Sequence, residues 1–185
     1  MTKAHTDRGK ESERILVRYL VPHGFPNAER SVRTGLRTRD RKLPDLGDIA
    51  GTPGLVWQVK AMKPLTRAEN EVPRWMLETE RQRAAAGADL GILVVRRDQR
   101  PAEQWFAFLP VADLYGVLGG LNDGRTGPWV VDGPWGSGGD RGAVVAWPCR
   151  LYLGDLVTLL RSTGWGDPMP ETPTPATGGR LEVTG

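Results

Sequence analysis

The sequence has few of the residues on which thiol and imidazole chemistry depend, with 1 Cys and 2 His among 185 residues. A single cysteine, Cys149, excludes an internal disulfide framework and is typical of proteins from a reducing cytoplasm. With only His5 and His23, neither a zinc site nor a Ser-His-Asp triad is expected. Function classes that need these groups are therefore disfavoured.

The sequence also lacks long hydrophobic runs. No apolar stretch approaches the roughly 20 residues of a membrane span, and the N-terminal MTKAHTDRGK has no apolar stretch behind its charges. We therefore expect no signal peptide, no membrane partner and a cytoplasmic location. The hydrophobic content of 39% predicts one globular domain, covering residues 1–165. The Pro/Thr/Gly-rich tail, 166–185, should be disordered.

Positive charge is concentrated in the N-terminal part of the chain. Residues 1–43 contain 11 Lys and Arg against 5 Asp and Glu, a net charge of +6, whereas the remaining residues contain 14 against 17. A basic stripe lies in this part, opposed only by Asp40: Arg30, Arg33, Arg37, Arg39, Arg41 and Lys42. Clustered positive charge is typical of surfaces that contact a nucleic-acid backbone, although a solvated loop would show the same composition.

The order of the helix and strand patterns predicts an α/β domain with a mixed sheet. An amphipathic pattern predicts a first helix over 7–21, and Pro73 should delay the second helix until about 74–86. Strands are expected at 28–34, 46–50, 54–61, 90–96, 103–110 and 143–147, with further helices at 111–118 and 152–162. The Gly-rich segment 119–142 should form a long loop or an irregular hairpin, whose Trp129 and Trp135 either stack on bases or pin the loop to the domain.

The stretch PDLGDIAGTPGLVWQVKAMK (44–63) combines polar side chains with strand periodicity. Alternation places Gln58 and Lys60 on one face of the sheet, and a tight turn at GTPG would bring Asp48 beside Gln58. Phosphodiester hydrolysis needs a divalent ion, hard oxygen ligands and a nearby cation. Asp48 and Gln58 are therefore candidate metal ligands, and Lys60 is the candidate cation.

A second negative ligand is expected from the first helix. Glu13 shares a helix face with Leu16, Val17 and Leu20. Burying a lone carboxylate is costly, so a glutamate in line with an apolar stripe needs a partner. A metal ion or Lys60 would supply that partner; alternatively, Glu13 lies at the edge of the stripe and reaches solvent.

The segments GKESER (9–14), Asp48-Ile49 and Gln58-Val59-Lys60 together resemble the PD-(D/E)XK nuclease superfamily. More narrowly, they resemble the archaeal-type Holliday junction resolvases and their phage relatives, over roughly residues 7–110. The resemblance implies a restriction-endonuclease-like fold with a central mixed β-sheet flanked by helices. It also implies that Glu13 and Asp48 contribute to a Mg²⁺ site that Mn²⁺ can also occupy, and that Lys60 is the catalytic lysine. Gln58 departs from the usual glutamate, and a Gln-x-Lys variant is found in Mrr-type restriction nucleases.

The function that this resemblance implies is a metal-dependent endodeoxyribonuclease that cuts four-way junctions as a homodimer, in DNA recombination or repair, in a bacterium or a phage-infected host cell. One alternative is a Mrr-like restriction or repair nuclease of the same fold, and another is a non-catalytic DNA-binding protein. Phosphate contacts are expected from five basic side chains: Lys10, Arg14, Arg33, Arg37 and Arg39. Gln82 is expected either to support the site from the second helix or to be an exposed polar residue. Asp45 is expected to be a loop residue.

Overall fold

The computed structural model of the protein describes residues 3–31, 45–63, 65–118 and 148–167, with side chains from residue 7 onward. The helices are α1 (Lys3–Leu20), α2 (Leu65–Ala86), α3 (Val111–Val117) and α4 (Leu153–Ser162). The strands are β1 (Glu29–Arg30), β2 (Ile49–Ala50), β3 (Leu55–Lys60), β4 (Leu90–Val95), β5 (Phe106–Pro110) and β6 (Pro148–Tyr152). Short 3₁₀ turns cover Val21–His23 and Ala102–Gln104.

The six strands form one mixed sheet in the order β1-β2-β3-β4-β5-β6. Every neighbouring pair is antiparallel except β3 and β4, which are parallel and are joined by α2. A parallel pair needs a crossover connection, and a helix is the usual one. The expected α/β class with a mixed, helix-flanked sheet is thus confirmed.

Helices cover both faces of the sheet because its central strands are apolar on both sides. On one face, α1 and α4 pack over Trp57, Ile92 and Val94 in the larger of the two hydrophobic clusters. On the other face, α2 packs over Leu93 and Val95. The predicted alternation in β3 is confirmed, since Leu55, Trp57 and Val59 belong to the first cluster and Gln58 and Lys60 contact α2.

The expected start of the second helix after Pro73, at about residue 74, was wrong. Helix α2 starts at Leu65 and continues through Pro73, whose ring is exposed. An internal proline costs about 3 kcal/mol, but Val72, Trp75 and Met76 on the same helix are buried against the sheet. Burial of three such side chains, at about 1.5–3 kcal/mol each, offsets that cost.

The hairpin of β2 and β3 follows the predicted turn, and glycine is required in it. Gly51 has a φ of +77°, and a β-carbon there would lie 1.7 Å from the carbonyl oxygen of Asn27. Only glycine fits this close approach to the segment before β1. The turn thus fixes the register in which Ile49 faces Trp57.

Three predicted features lie outside the described residues: the strand at 143–147, the Gly-rich segment with Trp129 and Trp135, and the tail beyond residue 167.

Candidate functional site

Asp48 lies immediately before β2, where its backbone and side chain both bind neighbouring strands. Its N–H donates to the Trp57 carbonyl over 2.7 Å, and its own carbonyl accepts from the Ser31 N–H over 2.9 Å. The side-chain Oδ2 accepts a hydrogen bond from the Val59 N–H at 2.6 Å. The carboxylate is therefore held against β3 at Val59, the residue between Gln58 and Lys60 in the strand.

Gln58 is buried, with 3% of its surface exposed, and both ends of its amide are bonded to α2. Its Oε1 accepts from the Thr79 hydroxyl at 2.7 Å, and its Nε2 donates to Glu78 Oε2 at 3.3 Å. A buried amide is stable only when both its donor and its acceptor are satisfied. Gln58 therefore joins the strand to α2, and its oxygen already has one protein donor.

Lys60 and Glu78 form a charge pair that joins β3 to α2. The Lys60 Nζ lies 3.0 Å from Glu78 Oε2, the same oxygen that Gln58 approaches. Arg74, one turn earlier on α2, approaches the other oxygen of Glu78 at 3.1 Å. The ammonium group also lies 5.9 Å from the centre of the Trp75 ring. Lys60 is therefore fixed at the end of β3 with its charge partly exposed.

Glu13 has a partner other than those expected from the sequence. Arg30, on β1, reaches its Oε2 with Nη2 at 2.6 Å and with Nε at 2.8 Å. Neither a metal nor Lys60 is needed to compensate the Glu13 charge, because β1 brings Arg30 next to the apolar stripe of α1. The Glu13 carboxylate still lies close enough to raise the pKa of Asp48 through its charge.

A second polar contact joins the loop before β2 to α2. Gln82 is 7% exposed, and its Nε2 donates to Asp45 Oδ2 at 2.9 Å. The other oxygen of Asp45 accepts from the Gly47 N–H at 3.3 Å. Asp45 is a loop residue, as predicted, and Gln82 is buried rather than exposed. Gln82 thus supports the site indirectly, by fixing the loop that leads into Asp48.

The two carboxyl groups nearest Lys60 have pKa values displaced in opposite directions. Burial is the main reason that the pKa of Asp48 is raised from 3.8 to about 6. The charges of Glu13 and Asp45 also raise it, whereas the hydrogen bond from Val59 and the charge of Lys60 act in the opposite direction. Burial would also raise the pKa of Glu78. The Glu78 pKa is nevertheless lowered, because three neighbours together outweigh burial: Lys60 through its hydrogen bond and charge, Arg74 through its charge, and Gln58 through its hydrogen bond. Titratable groups with displaced pKa values cluster at catalytic sites, and structural ion pairs displace pKa values as well.

Asp48 and Glu78 are the carboxylates of this site that a hard divalent cation could use. Within the described ranges, no three His, Cys, Asp or Glu side chains form a group that could hold a metal ion. Asp48 and Glu78 both interact electrostatically with Lys60. The negative charges of Glu13 and Asp45 disfavour ionisation of Asp48, and a bound cation would offset their effect. Mg²⁺ is commonly bound by one or two carboxylates, waters and substrate phosphates, so this donor set suits it.

Of the five basic residues expected to contact phosphate, the structure describes two. Lys10 and Arg14 are exposed on α1, and Arg14 pairs weakly with Glu11 at 3.5 Å. Both side chains are therefore available at the surface. Arg33, Arg37 and Arg39 lie outside the described residues, so of the basic stripe only Arg30 is placed, next to Glu13.

Glu78 is the site residue that the sequence analysis missed. It lies four residues before Gln82, and residues four apart share a helix face, so the two face the sheet together. That spacing was a usable signal, because the helix predicted over 74–86 already contained both residues. Nothing in strand periodicity alone links Glu78 to Lys60.

Comparison with known proteins does not extend these observations: no family model, no curated protein and no solved structure matches the chain. A search of the described helices for one long and apolar enough to cross a membrane found none.

Proposed function

We propose that the protein is a Mg²⁺-dependent endodeoxyribonuclease with a restriction-endonuclease-like fold. One observation carries the proposal: the β2–β3 hairpin and α2 bring together Asp48, Gln58, Lys60 and Glu78, with Lys60 Nζ 3.0 Å from Glu78. The residue types are those that phosphodiester hydrolysis needs. The side chains of Lys60 and Glu78 keep 27% and 30% of their surface exposed, so a substrate can reach them from solvent.

Asp48 and Glu78 would hold the cation, and Glu78 supplies the carboxylate that Gln58 lacks. When bound, the cation polarises the phosphate and lowers the pKa of a bound water. Lys60 places a positive charge where negative charge develops on the phosphate in the transition state. Gln58 holds Glu78 in position through its amide N–H, and Thr79 fixes the orientation of that amide. Glu13 adds negative charge from α1 while paired with Arg30.

Branched DNA is the substrate we propose, on the basis of the resemblance to junction resolvases. Resolution of a four-way junction requires two symmetric cuts, and a homodimer supplies two sites related by a twofold axis. Lys10 and Arg14, exposed on α1, are proposed to contact phosphates, as are Arg33, Arg37 and Arg39. Sedimentation velocity of the full chain should give a dimer.

The decisive experiment is a gel assay of cleavage on a four-way junction and on a linear duplex of the same arm sequence, with Mg²⁺, with Mn²⁺ and with EDTA. Lys60→Ala should lower the cleavage rate about 10²–10³-fold. Lys63→Ala is the matched control, because Lys63 lies three residues on, is 62% exposed and pairs with Asp98 at 2.8 Å. It should cleave like the wild type.

Each outcome selects a different function. Unchanged cleavage by Lys60→Ala contradicts the proposed role of the lysine. Equal cutting of duplex and junction indicates a restriction or repair nuclease, and tight junction binding without cleavage in either metal indicates a non-catalytic DNA-binding protein. Glu78→Gln should abolish Mg²⁺ binding measured by calorimetry with the metal alone, which tests the ligand assignment apart from catalysis.

A further inference from the structure

A cluster of arginine and aromatic side chains lies on the same face of the sheet as Lys60. We call it the arginine–aromatic surface and define it as Arg97, Phe106, Arg150 and Tyr152. The Arg97 guanidinium carbon is 4.6 Å from the centre of the Phe106 ring and 5.6 Å from that of Tyr152. Arg150 is 4.7 Å from the Phe106 ring, and the two aromatic rings stack at 5.9 Å with an angle of 22°.

The register of the sheet connects this surface to the candidate site. Lys60 faces Val95 on β4, Val95 faces Phe106 on β5, and Phe106 faces Tyr152 on β6. Cross-strand partners project on the same face, so these four side chains form one row across the sheet. Three strand spacings of about 4.8 Å put Tyr152 about 14 Å from Lys60. Helix α2 covers the middle of this row, where Val95 is buried, and its first turns reach Phe106 on β5 and Arg150 on β6. A DNA strand that joins Lys60 to Tyr152 therefore passes beside α2, along the end of the sheet.

We propose that the arginine–aromatic surface binds an unpaired nucleotide of the DNA strand whose phosphate lies at Lys60. The inference rests on the proposed function, and it adds that the enzyme requires an unpaired nucleotide beside the cleaved phosphate. At 3.4 Å per nucleotide along one strand of B-form DNA, 14 Å corresponds to about four nucleotides. The bound nucleotide therefore lies about four steps from the scissile phosphate, or fewer where the strand is extended.

The chemistry of the surface favours a nucleotide over other occupants. Tyr152 keeps 47% of its surface exposed although its ring stacks on Phe106, so a base can stack on the exposed part of the ring. A base offers an aromatic face, and stacking does not depend on which base is present. The guanidinium groups of Arg97 and Arg150 lie over the rings and carry the charge that a phosphate attracts. Paired bases in a duplex are covered by their neighbours, so only an unpaired one can use the ring.

The arginines are held in place yet still carry free charge toward a ligand. Arg97 donates a hydrogen bond from one Nη to the Gln104 carbonyl at 3.0 Å. Because a carbonyl group has no net charge, this bond fixes the side chain but does not neutralise its positive charge. Arg150 pairs with Glu69 at 3.0 Å, and both side chains are about half exposed. An exposed pair of this kind is worth little, so a phosphate can compete for Arg150.

The test measures binding without cleavage, by fluorescence anisotropy of a labelled single-stranded oligodeoxynucleotide and a blunt duplex, both in EDTA. Tyr152→Ala should weaken single-strand binding about 5- to 100-fold, the range for loss of one base stack, and weaken duplex binding far less. Tyr152→Phe keeps the ring and should bind like the wild type. Arg97→Lys keeps the charge but loses the planar stack, and should also weaken single-strand binding.

The matched control is Tyr115→Ala, because Tyr115 is 50% exposed on α3, at the opposite end of β5 from Phe106. It should bind both DNAs normally. The proposal is overturned if the wild type does not bind the single strand, or if Tyr152→Ala binds it as tightly as Tyr152→Phe. It is also overturned if Tyr152→Ala weakens both DNAs equally, or if it dissociates a dimer in sedimentation velocity. Circular dichroism of each variant confirms that the protein is folded.

Failure of this proposal can be distinguished from failure of the proposed function. If the wild type cleaves junctions while Tyr152→Ala binds single strands normally, the nuclease assignment stands and the surface does not bind a nucleotide. If the wild type cleaves nothing while Tyr152→Ala selectively loses single-strand binding, the surface is a nucleotide site on a non-catalytic protein.

Discussion

Replacing Asp48 with asparagine should make the metal-free protein more stable at neutral pH. Burial raises the pKa of Asp48 from 3.8 to about 6, so the native state binds the proton more tightly than the unfolded chain does. The native state then loses stability relative to the unfolded state as the pH rises from about 4 to about 6. At 1.36 kcal/mol for each pKa unit, the ionised carboxylate costs about 3 kcal/mol above pH 7. Asparagine does not ionise and avoids this cost.

The geometry allows the substitution without loss of the main contact. Asp48 Oδ2 accepts the Val59 N–H at 2.6 Å, and the amide oxygen of asparagine can accept the same hydrogen bond. Below about pH 4 both side chains are neutral and the two proteins should be about equally stable. The gain should then increase with pH to about 3 kcal/mol at pH 7.5, as an upper value.

Urea denaturation between pH 4 and pH 8 in EDTA measures this difference, because the other titrating groups contribute equally to both proteins. The control is Asp155→Asn, an exposed position in the first turn of α4, which should give a small and nearly constant difference. A variant that is less stable than the wild type at pH 7.5, or a gain that does not change with pH, would refute the desolvation of Asp48. Adding Mg²⁺ at ten times its dissociation constant should stabilise only the wild type, by about 1.4 kcal/mol.

Three further substitutions test individual contacts by urea denaturation. Gln58→Glu should destabilise the protein by about 1–3 kcal/mol in EDTA, since a buried carboxylate would replace the amide donor 3.3 Å from Glu78. Mg²⁺ should reverse that loss, and an equal loss with and without Mg²⁺ would argue against a metal at this position. Arg30→Met should cost about 1–3 kcal/mol by leaving Glu13 without its partner, and the additional change Glu13→Gln should recover most of it; additive losses would contradict a direct pair. Pro73→Ala should stabilise α2 by about 1–3 kcal/mol through the restored backbone donor, and a lower stability would mean that α2 depends on a bend at the proline.

Local periodicity accounts for what could be predicted about the site. The alternation in LVWQVK placed Gln58 and Lys60 on one face, and the glycines of the turn placed Asp48 beside them. These relations extend over at most a dozen residues, and the backbone geometry of a strand and a hairpin fixes them. The same reasoning identified the apolar stripe of α1 and the position of Glu13 along it. It also gave the α/β class with a mixed sheet.

Only the tertiary structure decided which charges meet. Glu78 with Lys60, Arg30 with Glu13 and Asp45 with Gln82 are separated by 18, 17 and 37 residues. Such pairs form because whole elements pack against each other, and periodicity specifies the buried face of an element but not its neighbour. Helix α2 shows the limit most directly: its packing on β3 and β4 offsets an internal proline and supplies the carboxylate that the strand itself lacks.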